Sequence, residues 1–257
     1  MTAGVDVGST ASKAVVVSDG QVVGEVIGAS TTNPARTAEE IFETALRQGG
    51  LSREEVSFVV GTGYGRTQVP FADQNISEIT CHARGAHFLR PSVRTVIDVG
   101  GQDTKAICLD SEGQLLDFVM NDKWAAGTGR FLEAMARSME IGVDEMEQFY
   151  FQEGKPCQIT SMCSVFAESE VINLINDGVP MSRVVKGLIQ SLANRVSSLG
   201  RRLGLIEEVT ITGGVAKNKG VWDAVGKKLK IDLVELPGDP QLVGALGAAL
   251  IAADLGD

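Results

Sequence analysis

Two segments of the chain repeat one pattern of residue types that could bind phosphate. Residues 6–13 read DVGSTASK and residues 98–105 read DVGGQDTK. Each copy lies between two apolar runs, which predicts a strand, a glycine turn and a second strand. A polar turn follows each copy, at 18–21 and at 111–114, and leads to a third strand. A repeat of this kind predicts a duplicated architecture.

The chemistry that these turns could perform is binding of a nucleotide and a metal ion. Glycine lets the backbone approach a ligand closely, and successive N–H groups form a concave anion site. Ser9, Thr10 and Thr104 would add hydroxyl donors. A carboxylate at the head of each turn, Asp6 or Asp98, would repel phosphate unless a Mg²⁺ ion lay between them. Ordinary hairpin turns are the alternative, and the repetition in register favours the nucleotide interpretation.

A third glycine element supports this interpretation. Gly213 and Gly214 follow an apolar run at 208–212, and Lys217 and Asn218 precede a helical pattern. A glycine pair at the end of a strand would let a flat base lie on the backbone. The chain has neither the GxxxxGK[ST] nor the GxGxxG pattern, which excludes two other phosphate-binding motifs. A helix of small residues at 244–249 fits either a hinge between two lobes or a buried C-terminal helix.

Composition limits the classes of function. The 257 residues carry a net charge of -10, which argues against a nucleic-acid partner. No apolar run reaches the length of about 18 residues typical of a membrane span. The first strand is expected almost at Met1, which leaves no room for a signal peptide, so a cytoplasmic location is expected. Cys81 and Cys108 fit core positions, and His82 and His87 fit structural or surface positions.

The hydrophobic pattern predicts the elements that would hold the turns. Strands are predicted at 3–8, 13–18, 21–28, 56–61, 94–99, 104–110, 114–120, 157–160, 208–212 and 231–235. Helices are predicted at 35–48, 76–88, 128–139, 165–176, 181–202, 218–229 and 241–254. Strands precede helices in each half, which predicts α/β layers.

These motifs resemble the actin, sugar-kinase and Hsp70 ATPase superfamily. Within it, the chain resembles the activators of 2-hydroxyacyl-CoA dehydratases and benzoyl-CoA reductases over nearly its whole length. The stretches that carry this closer resemblance are TGYGR at 62–66, EITCHA at 78–83, VIDVGGQDTK at 96–105, MNDK at 120–123, AAGTGRFLE at 125–133 and CSVFAESEV at 163–171. The last two are the most specific, because generic kinases of the superfamily lack them.

The resemblance implies a two-lobed, duplicated ribonuclease-H-like fold with ATP or ADP in the cleft between the lobes. Residues 1–92 with about 240–257 would form the first lobe, and residues 93–239 the second. The resemblance further implies a homodimer with one [4Fe-4S] cluster on its twofold axis, held by two cysteines of each subunit. ATP hydrolysis would drive one electron from the cluster into a dehydratase or reductase, and ferredoxin or flavodoxin would supply that electron.

Matching motif positions imply roles for individual residues. Asp6 and Asp98 would organise Mg²⁺, and Asp98 would act in catalysis with Gln102 and Asp103, which would position the attacking water. The residues expected to bind the nucleotide are Asp6, Gly8, Ser9, Thr10, Lys13, Gly100, Gly101, Gln102, Gly127, Gly129, Gly213, Gly214, Lys217 and Asn218. The alternative for Lys13 is a surface lysine at a strand edge, and Gly127 and Gly129 could instead shape the start of a helix. Glu168 and Glu170 fit a helix-capping or interface role better than a catalytic pair.

The chain departs from the family at one cluster position. Cys163 matches one iron ligand, but Trp124 stands where the resemblance implies the other, before Ala125. Indole has no thiolate and cannot ligate iron, so a cluster would be impaired or absent. The tryptophan could be an engineered substitution or that of a natural paralogue without the usual cluster, or Cys157 could supply a ligand. A sugar-type kinase and a non-redox regulatory module are the alternative functions.

Overall fold

The computed structural model describes residues 1–121, 127–160 and 164–256, apart from the side chains of residues 164 and 165. Its first half contains β1 (Thr2–Val7), β2 (Ala11–Ser18), β3 (Gln21–Ala29), α1 (Pro34–Gly49), β4 (Phe58–Thr62), β5 (Gln74–Asn75) and α2 (Glu78–Leu89). Its second half contains β6 (Thr95–Val99), β7 (Thr104–Leu109), β8 (Leu115–Met120), α3 (Gly129–Ser138), α4 (Met146–Phe151), α5 (Ser164–Asn176), α6 (Met181–Leu203), β9 (Val209–Thr212), α7 (Lys219–Leu229) and α8 (Val243–Gly256).

The strands form two sheets that repeat one arrangement. The first sheet has the order β3-β2-β1-β4-β5, and the second has the order β8-β7-β6-β9. In each, three consecutive strands pair antiparallel, and the first of the three also pairs with a later, parallel strand. The predicted duplication is therefore confirmed, because both copies of the motif form the same hairpin in equivalent sheets.

Both faces of the first sheet are buried. Along β2, Ala14 and Val16 pack with α1, whereas Val15 and Val17 pack with α8. Alternate residues of a strand point to opposite faces, so a strand between two helical layers is apolar at every position. This explains the continuous apolar run after the first glycine turn.

Helix α2 packs against parts of both halves of the molecule. Its Cys81 lies in a buried cluster with Val60 of β4 and with α8. Ala83 and Ala86 pack instead with apolar residues of β6 and β7 in the second sheet. The other face of the second sheet is covered by α3, α6 and α7. Helix α2 therefore lies at the junction between the two sheets.

Two predicted strands differ from the structure, and one short helix was not predicted. Residues 157–160 form no strand, because their backbone bonds go to Arg183 and to the Glu170 carboxylate rather than to a neighbouring strand. The predicted strand at 231–235 is reduced to one bridge between Val209 and Leu233. Helix α4 was not predicted, since six residues are too few for a clear helical period. Within the described residues, no helix combines the length and apolar character needed to cross a membrane.

Candidate active site

The register of each hairpin places a lysine beside the aspartate that begins the glycine turn. Asp6 is opposite Lys13, and Asp98 is opposite Lys105. Residues opposite each other in an antiparallel pair share a face, so the side chains meet. Lys13 Nζ lies 3.0 Å from Asp6 Oδ2, and Lys105 Nζ lies 3.4 Å from Asp98 Oδ2. The identical spacing in the two sequence repeats thus produces two ion pairs at equivalent positions of the two sheets.

The two turns touch each other. A side chain at Gly101 in the second turn would overlap Thr10 and crowd Ser9 in the first. Arg130, at the start of α3, donates from Nη2 to the Ser9 carbonyl at 3.0 Å and from Nε to Thr10 Oγ1 at 3.3 Å. The backbone N–H of Gly129 donates to Gly100 O at 2.8 Å. Glycine at 101 is therefore required for the close approach of the two turns.

A cavity of about 590 Å³ lies at this junction. It brings together most of the residues predicted from the sequence to form the site. Its lining includes Asp6, Gly8, Ser9, Thr10, Lys13, Asp98, Gly100, Gly101, Gln102, Asp103, Gly129, Gly213, Gly214, Lys217 and Asn218. Residues separated by more than 200 positions thus line one space.

The end of the cavity formed by Gly213 and its neighbours is built around a special backbone turn. Gly213 has a φ of 87°, and a side chain there would collide with the Val99 carbonyl. Asn218 caps α7 by accepting from the Val221 N–H at 3.2 Å. Its Nδ2 is buried and has no hydrogen-bond partner among the described residues. Lys217 pairs with Asp239 at 2.6 Å.

Asp98 is held in its ionised form. Burial alone would raise its pKa, but the neighbouring His82, Lys105 and Lys13, with the Thr212 hydroxyl, outweigh this effect and lower the pKa of Asp98 to about 2. Thr212 Oγ1 donates to Asp98 Oδ1 at 3.0 Å. The carboxylate therefore presents a fixed negative charge in the cavity.

Lys105 is surrounded by carboxylates. Its side chain is 1 % exposed, and Nζ lies 2.7 Å from Asp103, 3.4 Å from Asp98 and 3.5 Å from Glu78. Burial opposes the charge, but the three carboxylates raise the pKa of Lys105 above its ordinary value. Burial also raises the pKa of Glu78, partly offset by Lys105. The ammonium group of Lys105 is therefore already bound by carboxylates of the protein.

Some predicted site residues lie elsewhere. Gly127 does not line the cavity, because the Thr104 hydroxyl binds its carbonyl and its Cα faces Arg195. Glu168 accepts from Ser138 and Glu170 from Thr160, so these two are not a catalytic pair in the cavity. Trp124 and Cys163 lie outside the described residues. Cys81 and Cys108 are buried, as predicted.

Several residues that line the cavity were not predicted from the sequence. Glu78 and His82 come from α2, one helical turn apart, and Glu147 comes from the unpredicted α4. The sequence predicts a structural or surface position for His82. The side chain is 6 % exposed and faces Asp98, so it is buried, and it also borders the cavity. The four-residue spacing that puts Glu78 and His82 on one helix face was the available signal.

The donor set fits Mg²⁺. Asp6 and Asp98 are buried carboxylates at the heads of two turns that line the same cavity. No group of three or more potential His, Cys, Asp or Glu ligands occurs in the part of the chain that the structure describes. Mg²⁺ commonly takes one or two carboxylates and completes its shell with water and phosphate oxygens. The site therefore suits a metal that arrives with a nucleotide.

Comparison with known proteins gives extensive matches. The chain is 50% identical to the activator of lactoyl-CoA dehydratase from Anaerotignum propionicum, over 98% of this chain and 96% of that protein. It is 43% identical to the (R)-2-hydroxyglutaryl-CoA dehydratase activating ATPase of Acidaminococcus fermentans, over 98% and 96%. The structure of the activator of 2-hydroxyisocaproyl-CoA dehydratase from Clostridium difficile with bound ADPNP matches with a TM-score of 0.92 and 45% identity, covering 99% and 95%.

These matches confirm the predicted fold class and the predicted resemblance. The model of the BadF/BadG/BcrA/BcrD ATPase family matches residues 3–252, which include both aspartate-glycine turns and the Gly213–Gly214 turn. The chain belongs to the BadF/BadG/BcrA/BcrD ATPase family.

Proposed function

We propose that this protein hydrolyses ATP in the cavity between its two glycine turns. The observation that carries the proposal is the contact of Gly101 with Thr10, which sets two anion-binding turns around one space. Two buried aspartates at the heads of these turns would hold Mg²⁺ through water and phosphate. When bound with the nucleotide, Mg²⁺ would neutralise charge on the phosphate oxygens.

The roles of the phosphate-binding residues follow from their surroundings. Backbone N–H groups of Gly8 and Gly101, with the hydroxyls of Ser9 and Thr10, would bind phosphate. The Gly100 N–H donates to the Asp103 carbonyl at 2.9 Å and so holds the turn in shape. Lys13 is the better phosphate ligand of the two lysines, because it contacts one aspartate and is 14 % exposed, whereas Lys105 contacts three carboxylates.

Gln102 and Asp103 would position the attacking water. Asp103 is held by Lys105 at 2.7 Å, which fixes one of its oxygens. Catalysis would then consist mainly of positioning and of stabilising charge on the transferred phosphoryl group.

The adenosine would lie against Gly213 and Gly214, with Lys217 and Asn218 beside it. The buried Nδ2 of Asn218 supports this placement, since an unpaired buried donor is costly. A nucleoside oxygen or nitrogen would satisfy it. Gly129, which lines the same cavity, would allow close approach of the nucleotide to the start of α3.

We further propose that the ATPase cycle activates a 2-hydroxyacyl-CoA dehydratase or a related CoA-ester reductase. The support is the similarity to proteins named as activators of such dehydratases. The working form would be a homodimer supplied with electrons by ferredoxin or flavodoxin. Each subunit would have lobes of residues 1–92 with about 240–257, and of residues 93–239.

The sequence gives less support to electron transfer through a [4Fe-4S] cluster than to ATP hydrolysis. Such a cluster takes four thiolates. A homodimer with Cys163 and Trp124 in each subunit would offer two at the positions that the family resemblance implies. We therefore propose ATP hydrolysis with impaired or absent cluster binding.

The hydrolysis proposal is tested by phosphate release with Mg²⁺ and ATP. Asp98→Asn should lower kcat by about 100-fold or more, because a fixed charge beside the phosphates is lost. Asp19→Asn is the matched control, since Asp19 lies in the turn between β2 and β3, at the other end of β2 from the first glycine turn. Full activity of Asp98→Asn would contradict the proposal. Transfer of phosphate to members of a sugar panel would favour the kinase alternative.

The redox part is tested by iron analysis and absorption spectra after anaerobic purification. We expect little bound iron in the wild-type protein and a brown, iron- and sulfide-containing protein for Trp124→Cys. Trp222→Cys is a control for the addition of a thiol elsewhere. If Trp124→Cys binds no cluster, the electron-transfer role is refuted, whereas the ATPase role is unaffected.

A further inference from the structure

His82 is a buried histidine that connects a helix to the aspartate of the second turn. It lies on α2 and lines the cavity. Its Nδ1 is 3.2 Å from Thr212 Oγ1, and its Nε2 is 3.7 Å from Asp98 Oδ1. The second distance is too long for a hydrogen bond. His82 is therefore connected to Asp98 by hydrogen bonds only through the Thr212 hydroxyl.

The hydrogen bonds of Thr212 determine where the His82 ring carries a proton. A hydroxyl has one proton to donate, and Thr212 Oγ1 has two neighbours. The Asp98 carboxylate is paired with Lys105 and acts as an acceptor, so the hydroxyl donates to it at 3.0 Å. The hydroxyl must then accept from His82, which requires a proton on Nδ1 in either charge state of the ring.

Helix α2 therefore reaches Asp98 by two routes. His82 contacts it through Thr212, and Glu78, one turn earlier, contacts Lys105, the ion-pair partner of Asp98. The same helix also packs against α8, and the side chain of Cys81 is buried in this contact. Gly244 of α8 leaves room for this arrangement, because a side chain there would lie 2.8 Å from His82 Nε2.

We propose that His82 is a positioning residue for hydrolysis, which orients the Asp98 carboxylate through the Thr212 hydroxyl. This inference rests on the proposed ATPase function. It assigns to α2 the task of holding the catalytic aspartate in place. Because α2 packs on both sheets, the orientation of Asp98 depends on their junction.

The kinetic test uses variants at both ends of the link. His82→Ala should lower kcat by about 10–100-fold, the usual effect of removing an outer partner of a metal site, and should leave the KM for ATP nearly unchanged. Thr212→Val should have the same effect. The double variant should be no worse than either single variant, because both remove one connection. His82→Asn, which can offer an amide donor near the position of Nδ1, should restore part of the rate.

His87→Ala is the matched control, since His87 lies on the same helix and does not line the cavity. Melting temperatures of all variants separate a lost orientation from a lost fold. A rate of His82→Ala equal to that of His87→Ala would overturn the proposal, as would additive losses in the double variant or the absence of rescue by asparagine. If wild-type protein releases no phosphate, the proposed ATPase function fails instead.

A spectroscopic test does not depend on hydrolysis. The chain has two histidines, so ¹⁵N NMR of the imidazole rings is assigned by comparison with His87→Ala. We expect the His82 ring to carry its proton on Nδ1, and we expect the Nδ1 signal to change in Thr212→Val. An Nδ1 without a proton, or an Nδ1 signal that is unchanged in Thr212→Val, would refute the hydrogen bond from His82 to Thr212.

Discussion

The two lysines of the repeated motif occupy equivalent positions but have different surroundings. Lys13 contacts Asp6 and is 14 % exposed, whereas Lys105 is 1 % exposed and contacts three carboxylates. A buried cation with several anionic partners cannot be removed without leaving those anions unpaired. At the scale of the residue, duplication has therefore produced one lysine available to a ligand and one needed by the protein.

The different surroundings predict different losses on substitution. Lys105→Met should lower the free energy of unfolding by about 3–5 kcal/mol, because Asp98, Asp103 and Glu78 lose their buried partner. Lys13→Met should cost less stability but reduce hydrolysis. Urea unfolding and phosphate release measure the two effects. Equal losses of stability in both variants would contradict this assignment.

At the scale of the element, α2 and α8 pack at glycine positions. A side chain at Gly247 would overlap the Cys81 carbonyl, and one at Gly85 would overlap the Val243 carbonyl. Backbone of one helix thus lies directly against the other. The small residues at 244–249 are explained by this contact, and the helix is buried as one of the two sequence interpretations expected.

We expect two opposite substitutions in α8 to destabilise the protein: glycine to alanine at the contact with α2, and alanine to glycine near the end of the helix. Gly247→Ala should cost about 1–3 kcal/mol through overpacking, although alanine favours a helix. Ala253→Gly, near the end of α8, should cost about 1 kcal/mol through lower helix propensity. Thermal and urea unfolding compare the two. A stabilised Gly247→Ala variant would show that the helices can separate without loss.

The sequence predicted the hairpins well because their signal is local. The D-x-G pattern, the continuous apolar run of β2 and the pairing of β1 with β2 and of β6 with β7 all depend on residues close together in the sequence. It did not predict His82, Glu78 or Glu147. The four-residue spacing puts Glu78 and His82 on one helix face, but it does not show that this face, or α4, borders the cavity. The sequence left open whether Gly127 approaches the nucleotide or shapes the start of a helix, since a glycine beside a motif does not reveal which way its backbone faces.

At the scale of the whole molecule, the cavity joins residues from both sheets. Asp6 belongs to β1 in the first sheet, whereas Asp98 and Gly213 belong to β6 and to the turn after β9. A ligand that contacts all three would add bonds between the sheets that the free protein lacks. Binding should therefore stabilise the molecule as a unit.

A non-hydrolysable ATP analogue with Mg²⁺ should raise the melting temperature. At 100 times its Kd, a ligand specific for the native state contributes about 2.7 kcal/mol, which corresponds to a rise of about 5–10 °C for a chain of this size. Removal of Mg²⁺ with EDTA should reduce the rise, and Asp6→Asn should do the same. An equal rise with and without the metal would argue against the shared aspartate site.

Thr104 holds both residues that flank the stretch 122–126. Its backbone carbonyl accepts from the Asn121 N–H, its N–H donates to Asn121 Oδ1, and its hydroxyl donates to the Gly127 carbonyl. Because Thr104 follows directly on the second turn, Asn121 and Gly127 cannot respond separately to a shift of that turn. The hydrogen bonds of Thr104 therefore tie the distance between Asn121 and Gly127 to the conformation of the second turn.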